Sequence, residues 1–261
     1  MTVFLHELKR NRTALIIWTA AITFMLTVTI FIYPEMAGEM EELGDMFANM
    51  GAFSDAFGMD QLNFGEFMGY FGIECGNTLG IGGALFAAIL GISALAKEEK
   101  EGTAEFLLTH PLPRLRVLFE KALAVLVQIL VLNGVVLCAS VLSALVIKVE
   151  IKWPEMLLLL LSYLLLQLEI GLLTLGISAF LKGNGLGIGM GLSLLFYFLN
   201  ILSNLTEELE ALKFFTPFSY TDGGYIVENC AIEWKYLLPG LLAALVILAV
   251  GCKKYNSKDI S

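Results

Sequence analysis

The stretch from Met156 to Phe180, MLLLLLSYLLLQLEIGLLTLGISAF, decides the fold of this chain. It is continuously apolar apart from a few polar side chains, and Glu169 is its one charged residue. At about 1.5 Å per residue, a helix of this length crosses a hydrocarbon core about 30 Å thick. Strands of a membrane barrel would instead alternate between apolar and polar residues. The stretch therefore predicts a membrane-spanning α-helix.

Five further runs of the same kind lie on either side of this one. They cover Ala14–Tyr33, Gly69–Ala96, Ala122–Ile147, Leu186–Leu205 and Tyr236–Cys252. Composition agrees, because 57% of the 261 residues are apolar, 16% are charged and the mean hydropathy is +0.78. Such values are too apolar for an ordinary soluble domain. The first run is too long for the apolar core of a cleavable signal peptide. We therefore expect one all-α membrane domain, residues 1–261, with six transmembrane helices.

The distribution of basic residues orients these spans. Most of the 16 Lys and Arg residues fall on the side that carries both chain ends. On that side are Lys9, Arg10, Arg12, Lys97, Lys100, Arg114, Arg116, Lys121, Lys182, Lys253, Lys254 and Lys258. The other side has only Lys148, Lys152, Lys213 and Lys235. Since basic residues concentrate in cytoplasmic loops, both termini are predicted to be cytoplasmic.

The net charge of −9 follows from acidic outer loops. The first of them, Pro34–Thr78, has no basic residue. Nucleic-acid binding is not expected, because the chain lacks a concentrated basic patch. The lipid bilayer is the predicted surrounding.

Residues 1–12 alternate apolar and charged side chains at helical spacing. Phe4, Leu5 and Leu8 are interleaved with His6, Glu7, Lys9 and Arg10. This pattern predicts an amphipathic entry helix that lies on the inner membrane surface with its cations toward anionic lipid. A solvated helical lead-in to the first span fits the pattern equally well.

The outer segment, residues 34–78, is acidic and rich in Met and Phe. Within it, Phe64, Phe67, Met68 and Phe71 are spaced to share one helical face. A fully solvated loop would not carry so much apolar surface, so we expect outer helices that lie at the membrane interface or re-enter it. The face could be an adaptable surface for apolar ligands, but packing against neighbouring spans is favoured.

Glycines repeat at close spacing in two places. Gly72, Gly76 and Gly80 open the second span, and a run of alternate glycines from Gly183 to Gly191 opens the fifth. Small residues at this spacing allow helix backbones to approach closely in lipid. The run is not a nucleotide loop, because it follows no strand and the chain contains no GxxxxGK[ST] motif.

Cysteine and histidine placement argues against catalysis. Cys75 and Cys230 both lie near the outer face and could form a disulfide if their Cα atoms came within about 7 Å, although two free, packed thiols are favoured. His6 and His110 are the only histidines and flank different spans. We therefore expect no metal site, no catalytic residue and no enzyme activity in this chain.

The cytoplasmic segment 97–121 carries the most specific pattern. Lys97–Glu101 is a mixed-charge cluster, Gly102 interrupts the helix, and Thr103 can cap a new one. That short helix, Ala104–Thr109, must end before Pro111, and Pro113 suits the start of the next. It presents three large apolar side chains, Phe106, Leu107 and Leu108. Either these residues fold back onto lipid or, as we favour, a partner protein covers them.

This segment resembles the signature of the type-two (ABC-2-like) ABC exporter permeases. The matching residues are Glu98, Glu99, Gly102, Thr103, Glu105, Leu107, Leu108, Pro111 and Arg114, followed by Lys121 at the start of a span. The opening FLHELKRNRTALIIW is similar to that family's amphipathic entry helix, and the six-span layout covers the whole chain.

The resemblance implies a division of labour. The stretch Thr103–Pro111, with Phe106, would be a coupling helix seated in a groove of a separate ABC ATP-binding subunit. That subunit, and not this chain, would bind ATP and Mg. The resemblance also implies a second permease copy or paralogue, location in the cytoplasmic membrane of a prokaryote, and export as the direction of transport.

Polar residues inside the spans are candidates for the substrate route. Glu169 lies near the middle of the fourth span, and Gln167, Gln128 and Asn133 are its possible companions. A buried carboxylate is costly in lipid, so Glu169 either lines the route or holds helices together by hydrogen bonds. The Met-rich outer segment favours a peptide or drug over a polysaccharide as cargo. Two rival functions remain: a motor-independent secondary transporter or channel that uses Glu169, and a non-transporting membrane subunit.

Overall fold

The computed structural model describes residues 2–48, 66–100, 113–181, 183 and 185–257, and the described part is all-helical. The longer helices are α1 (Thr2–Ala48), α2 (Phe67–Cys75), α3 (Ile81–Lys100), α4 (Arg114–Val146), α5 (Trp153–Ser178), α6 (Leu186–Leu205), α7 (Gly223–Asn229) and α8 (Trp234–Ser257). Two 3₁₀ turns, Glu207–Phe215 and Ser219–Thr221, lie between α6 and α7. Six helical stretches are long and apolar enough to cross a membrane, as predicted. Each span carries its chain-order number below.

The second and fourth spans form the centre of the bundle. In their most apolar windows 67% and 61% of the residues are buried, against 17% for the fifth span. The outer spans expose large apolar side chains such as Phe24, Phe119 and Leu142. Such surface is stable only against lipid or another apolar chain. The fourth span, which contains Glu169, is thus one of the two helices that the others surround.

The entry helix is not separate from the first span. Residues from Thr2 onward belong to α1, which continues without interruption through the span and into the outer segment as far as Ala48. The predicted amphipathic helix is therefore helical but continuous with the first span. The reason is local: the sequence Asn11–Arg12–Thr13 contains neither Gly nor Pro to end the helix. Pro34 lies inside α1, near the outer end of the span.

A five-residue π-helical turn, Gly76–Gly80, joins α2 to α3 within the second span. Its two end glycines lie against Tyr163 of the fourth span: a Cβ on Gly76 would be 3.2 Å from the Tyr163 hydroxyl, and one on Gly80 would be 3.1 Å from its ring. The widened turn and the missing side chains accommodate this ring. The glycine repeat predicted a close approach of two helix backbones, but at Gly76 and Gly80 the neighbour is a side chain of the fourth span.

The glycines of the fifth span have more varied surroundings. Gly185 and Gly189 lie against Ile92 of the second span, where a Cβ would come within 2.9 Å and 2.8 Å of that side chain. Gly187 and Gly191 have nothing within 4 Å in the described structure. Only one face of the glycine run therefore serves helix packing.

The inner part of the outer segment packs into the bundle. Phe67, Met68 and Phe71 are buried, and the Phe67 ring lies 5.4 Å from that of Tyr33 in α1. This burial agrees with the packing interpretation of the Met- and Phe-rich face. Phe64 lies outside the described residues. Directly before α2 and α5, Lys152 Nζ donates to Glu66 Oε2 over 2.7 Å, and this hydrogen bond raises the pKa of Lys152.

The cysteines are free thiols, as favoured from the sequence. Cys75 is fully buried in α2, whereas Cys230 is exposed at the end of α7. The expectation that both thiols are packed is therefore wrong for Cys230. The helix ends there with Cys230 in the left-handed conformation, at φ 48°, and the turn projects its side chain outward.

Candidate functional site

Three of the predicted coupling residues flank residues 101–112, which the structure does not describe, and the others lie within that range. Glu98 and Glu99 fall in the last turn of α3, and Arg114 is the first residue of α4. The residues between them, Gly102, Thr103, Glu105, Phe106, Leu107, Leu108 and Pro111, lie outside the described residues. Helix α4 begins directly after Pro113, whose carbonyl accepts a hydrogen bond from Arg116 N at 2.8 Å. Pro113 therefore stands at the helix start that the sequence predicted.

Lys121 of α4 contacts both α1 and α3, close to the ends of the two helices that flank residues 101–112. Its ammonium group is 1% exposed and donates to Glu7 Oε1 of α1 and to the Ala94 carbonyl of α3, each at 2.6 Å. A buried cation is stable only when such partners replace water. Arg10 lies 4.0 Å from the same Glu7 carboxylate. The second and third spans are thus fixed to each other and to the entry helix.

Glu120, the preceding residue, holds the beginning of α1. Its Oε2 accepts hydrogen bonds from Val3 N at 3.1 Å and Phe4 N at 3.2 Å, and its Oε1 accepts one from Arg116 Nε at 3.2 Å. The first amides of a helix have no partner within the helix, and its dipole favours a negative charge there. The carboxylate therefore caps the entry helix from a neighbouring span.

Arg114 makes the matching contact with the end of α8. Its Nη1 donates to the carbonyls of Tyr255 and Asn256, both at 3.3 Å. The last carbonyls of a helix and its dipole favour a cation at that position. The first turns of α4 therefore contact the beginning of α1 and the end of α8, which lie at the same end of the bundle. We call the set Glu7, Arg114, Glu120 and Lys121 the terminal junction.

Glu169, in the fourth span, contacts two other parts of the chain: the loop that follows the fifth span, and the sixth span itself. It is 2% exposed, and its Oε2 accepts a hydrogen bond from the Tyr220 hydroxyl at 2.9 Å. Burial and the neighbouring carboxylate raise the pKa of Tyr220 well above its usual value, so the phenol stays protonated as a donor. The carboxyl group lies directly over Gly240, where a Cβ would overlap Glu169 Oε1.

Gln167 faces the other side of the fourth span. Asn133 Nδ2 donates to Gln167 Oε1 at 2.7 Å and to the Ile129 carbonyl at 2.9 Å. Gln167 Nε2 in turn donates to the Leu79 carbonyl at 3.4 Å, and the absent side chain of Gly83 leaves room for its amide. This cluster links the second, third and fourth spans by hydrogen bonds, which lipid cannot supply.

Gln128 contributes a further buried polar group. It is fully buried, and its Nε2 donates to the Ala124 carbonyl of its own helix at 2.9 Å. Gln128 Oε1 and Asn133 Oδ1 accept no hydrogen bond from the described residues. The four predicted route residues therefore do not form one cluster. Asn133 and Gln167 are paired, Glu169 has other partners, and two amide oxygens remain available as acceptors.

Sequence reasoning gave no role to Glu7, Glu120 and Tyr220. Glu7 and Glu120 were detectable only as acidic residues within otherwise basic stretches that are predicted to be cytoplasmic, and Tyr220 lies in a loop without a marked pattern. Among the described residues, no group of three or more His, Cys, Asp or Glu side chains could hold a metal ion. The chemistry that this arrangement offers is hydrogen bonding and ion pairing between helices.

Comparison with known proteins adds a family. A family model described as ABC-2 family transporter protein matches residues 1–260. No curated protein and no solved structure matches the chain significantly.

Proposed function

The chain belongs to the ABC-2 family of transporter proteins, and we propose that it is the membrane-spanning subunit of an ATP-driven exporter. Members of this family are multi-pass membrane subunits that lack an ATP-binding domain of their own and generally work with ATP-binding subunits. ATP and Mg would bind to a separate ABC subunit. A second copy or a paralogue would complete the complex in the cytoplasmic membrane of a prokaryote.

The fixed base of the coupling segment carries this proposal. Lys121 of the third span donates a hydrogen bond to the Ala94 carbonyl of the second span, and both groups are buried. A loop tied at its base moves together with the two spans that it joins. A motor that pushes on Phe106, Leu107 and Leu108 would therefore move membrane helices rather than only a flexible loop. Apolar anchors set in a groove give such a contact its strength and register.

The cargo would be hydrophobic or amphipathic, with a peptide or drug favoured over a polysaccharide. It would cross between the two permease copies when ATP drives the motors together. We assign Gln128, Asn133 and Gln167 to the route, because two of their amide oxygens are available to hydrogen-bond donors of a cargo. For Glu169 the observed contacts favour the interhelical role, since the carboxyl group is held between Tyr220 and Gly240.

Co-purification tests the proposal. The chain should purify from membranes with an ABC ATP-binding subunit of its own organism and should change that subunit's ATPase rate. Phe106→Asp combined with Leu107→Asp should abolish both effects, because charges in an apolar groove are costly to desolvate. A matched control is Leu209→Asp with Phe215→Asp, two exposed apolar residues in the loop between the fifth and sixth spans. A complex that survives the first pair of substitutions unchanged would contradict the proposal.

The rival with a specific observation behind it is a motor-independent secondary transporter. It rests on Glu169, a buried carboxyl group in a span, as a proton or ion site. Flux into proteoliposomes driven by a proton gradient, without any ATP-binding subunit, would favour this rival. A membrane subunit that binds the ATPase but moves no cargo is the third possibility, and transport assays separate it from an exporter.

A further inference from the structure

The buried ion pair between Glu7 and Lys121 lies where three helices, α1, α3 and α4, meet. Glu7 is on the second turn of α1 and Lys121 is on the second turn of α4, and their charged atoms are 2.6 Å apart. The side chains are 8% and 1% exposed. Removing two charges from water is expensive, and a well-packed apolar pair would often serve stability equally well. Stability alone therefore does not account for the pair.

Its partners indicate a further role. Lys121 also donates to the Ala94 carbonyl. Ala94 belongs to α3, the helix before residues 101–112, and Lys121 belongs to α4, the helix after them. Glu120, next to Lys121, caps α1 through Val3 N and Phe4 N. The first turns of α1 are thus attached at two points to the base of the coupling segment. Because α1 is continuous into the first span, any displacement there is carried into the membrane.

We propose that Glu7 and Lys121 are positioning residues that transmit movement of the coupling segment to the entry helix and the first span. This inference rests on the proposed function, since it assumes an ATP-binding subunit that moves residues 101–112. The pair acts as a fixed link whose two ends travel together. It does not touch ATP, and it is not assigned to the cargo route.

A link of this kind predicts a separable defect. Glu7→Gln with Lys121→Met removes both charges, so neither charge is left buried without its partner. The ATP-binding subunit should still bind, because Phe106, Leu107 and Leu108 are untouched. What should be weakened is the response of α1 to nucleotide. A purely structural pair would instead lower thermal stability and leave that response in place.

Amide hydrogen exchange in the reconstituted complex tests the link directly. Exchange is compared between the nucleotide-free and the ATP–vanadate-trapped complex, in lipid nanodiscs, for residues 3–12 and for residues 101–112. In the wild type both segments should change protection on trapping. In the Glu7→Gln, Lys121→Met variant residues 101–112 should still respond fully, whereas the nucleotide-dependent change in residues 3–12 should become smaller, because only the Glu120 contacts with Val3 N and Phe4 N remain. Lys121→Arg, which keeps the charge and the donors, should retain the full change.

The matched control removes a second inter-element ion pair of the described residues, Glu66–Lys152, at the opposite end of the bundle. Glu66→Gln with Lys152→Met should leave both responses intact, because that pair is half exposed and far from the junction. The inference is overturned if residues 3–12 respond equally in the neutral variant, or if they fail to respond in the wild type while residues 101–112 do. If residues 101–112 do not respond in the wild type, the proposed function fails and the inference falls with it.

Discussion

Tyr220 donates its hydroxyl hydrogen to Glu169 Oε2 over 2.9 Å, and this bond joins the loop after the fifth span to the middle of the fourth. Both side chains are buried, at 1% and 2% exposure. Tyr220→Phe should therefore lower the free energy of unfolding by about 1–3 kcal/mol, the usual cost of leaving a buried acceptor unpaired. Denaturant unfolding in detergent micelles measures the change.

Tyr225→Phe is the control for that substitution. Tyr225 lies on α7, in the same loop, and its hydroxyl makes none of the described hydrogen bonds. It should change the free energy of unfolding little. Equal destabilisation by the two substitutions would contradict the assigned role of Tyr220.

Glu169→Gln separates the two roles considered for this carboxyl group. A glutamine keeps an oxygen that can accept from the Tyr220 hydroxyl, and it fits the space over Gly240. We expect unchanged thermal stability, unchanged ATPase stimulation and unchanged transport, measured in proteoliposomes that contain the ATP-binding subunit. Loss of transport of a cationic cargo at unchanged stability would instead place Glu169 on the substrate route.

Gly240 provides a steric test of the same contact. A Cβ at this position would overlap Glu169 Oε1, so Gly240→Ala should destabilise the protein by about 1–3 kcal/mol, as overpacking of a filled site does. Gly191→Ala is the matched control, because Gly191 is also inside a span and has nothing within 4 Å in the described structure. Unfolding midpoints of both variants decide the matter. If Gly240→Ala is as stable as Gly191→Ala, the packing is not as described.

Cysteine labelling tests the orientation of the chain. Cys230 is exposed between the fifth and sixth spans, Cys75 is buried, and Cys252 lies at the predicted cytoplasmic end. A membrane-impermeant maleimide added to intact spheroplasts should label Cys230 and leave Cys75 and Cys252 unmodified. Cys230→Ser should abolish the labelling. Labelling of Cys252 in sealed cells would reverse the topology predicted from the basic residues.

The sequence was sufficient for the spans because each is decided by its own residues. The fifth span was predicted and observed at the same bounds, Leu186–Leu205. Continuous apolar runs leave the chain no other way to satisfy its backbone in lipid. A tight helix contact at Gly76 and Gly80 was also predictable, because it depends on small side chains at a regular spacing, but its filling by the Tyr163 side chain was not.

Contacts between residues far apart in the sequence could not be predicted from apolar runs and local spacing. Glu7 and Lys121 are 114 positions apart, and Tyr220 and Glu169 are 51 apart. Nothing in either local sequence specifies its partner, because the pairing follows from how the spans pack. For a related reason the sequence left open whether residues 1–12 form a surface helix or a solvated lead-in to the first span. Their amphipathic pattern shows which side is polar, but it does not show that Glu7 is buried against Lys121.

A photocrosslinker at Leu107 shows whether residues 101–112 contact an ATP-binding subunit. With p-benzoyl-phenylalanine at Leu107, irradiation of membranes that contain both proteins should give one covalent adduct with the ATP-binding subunit. The same group at Leu209, in the loop between the fifth and sixth spans, should give none. No adduct from Leu107, or equal adducts from both positions, would contradict the account.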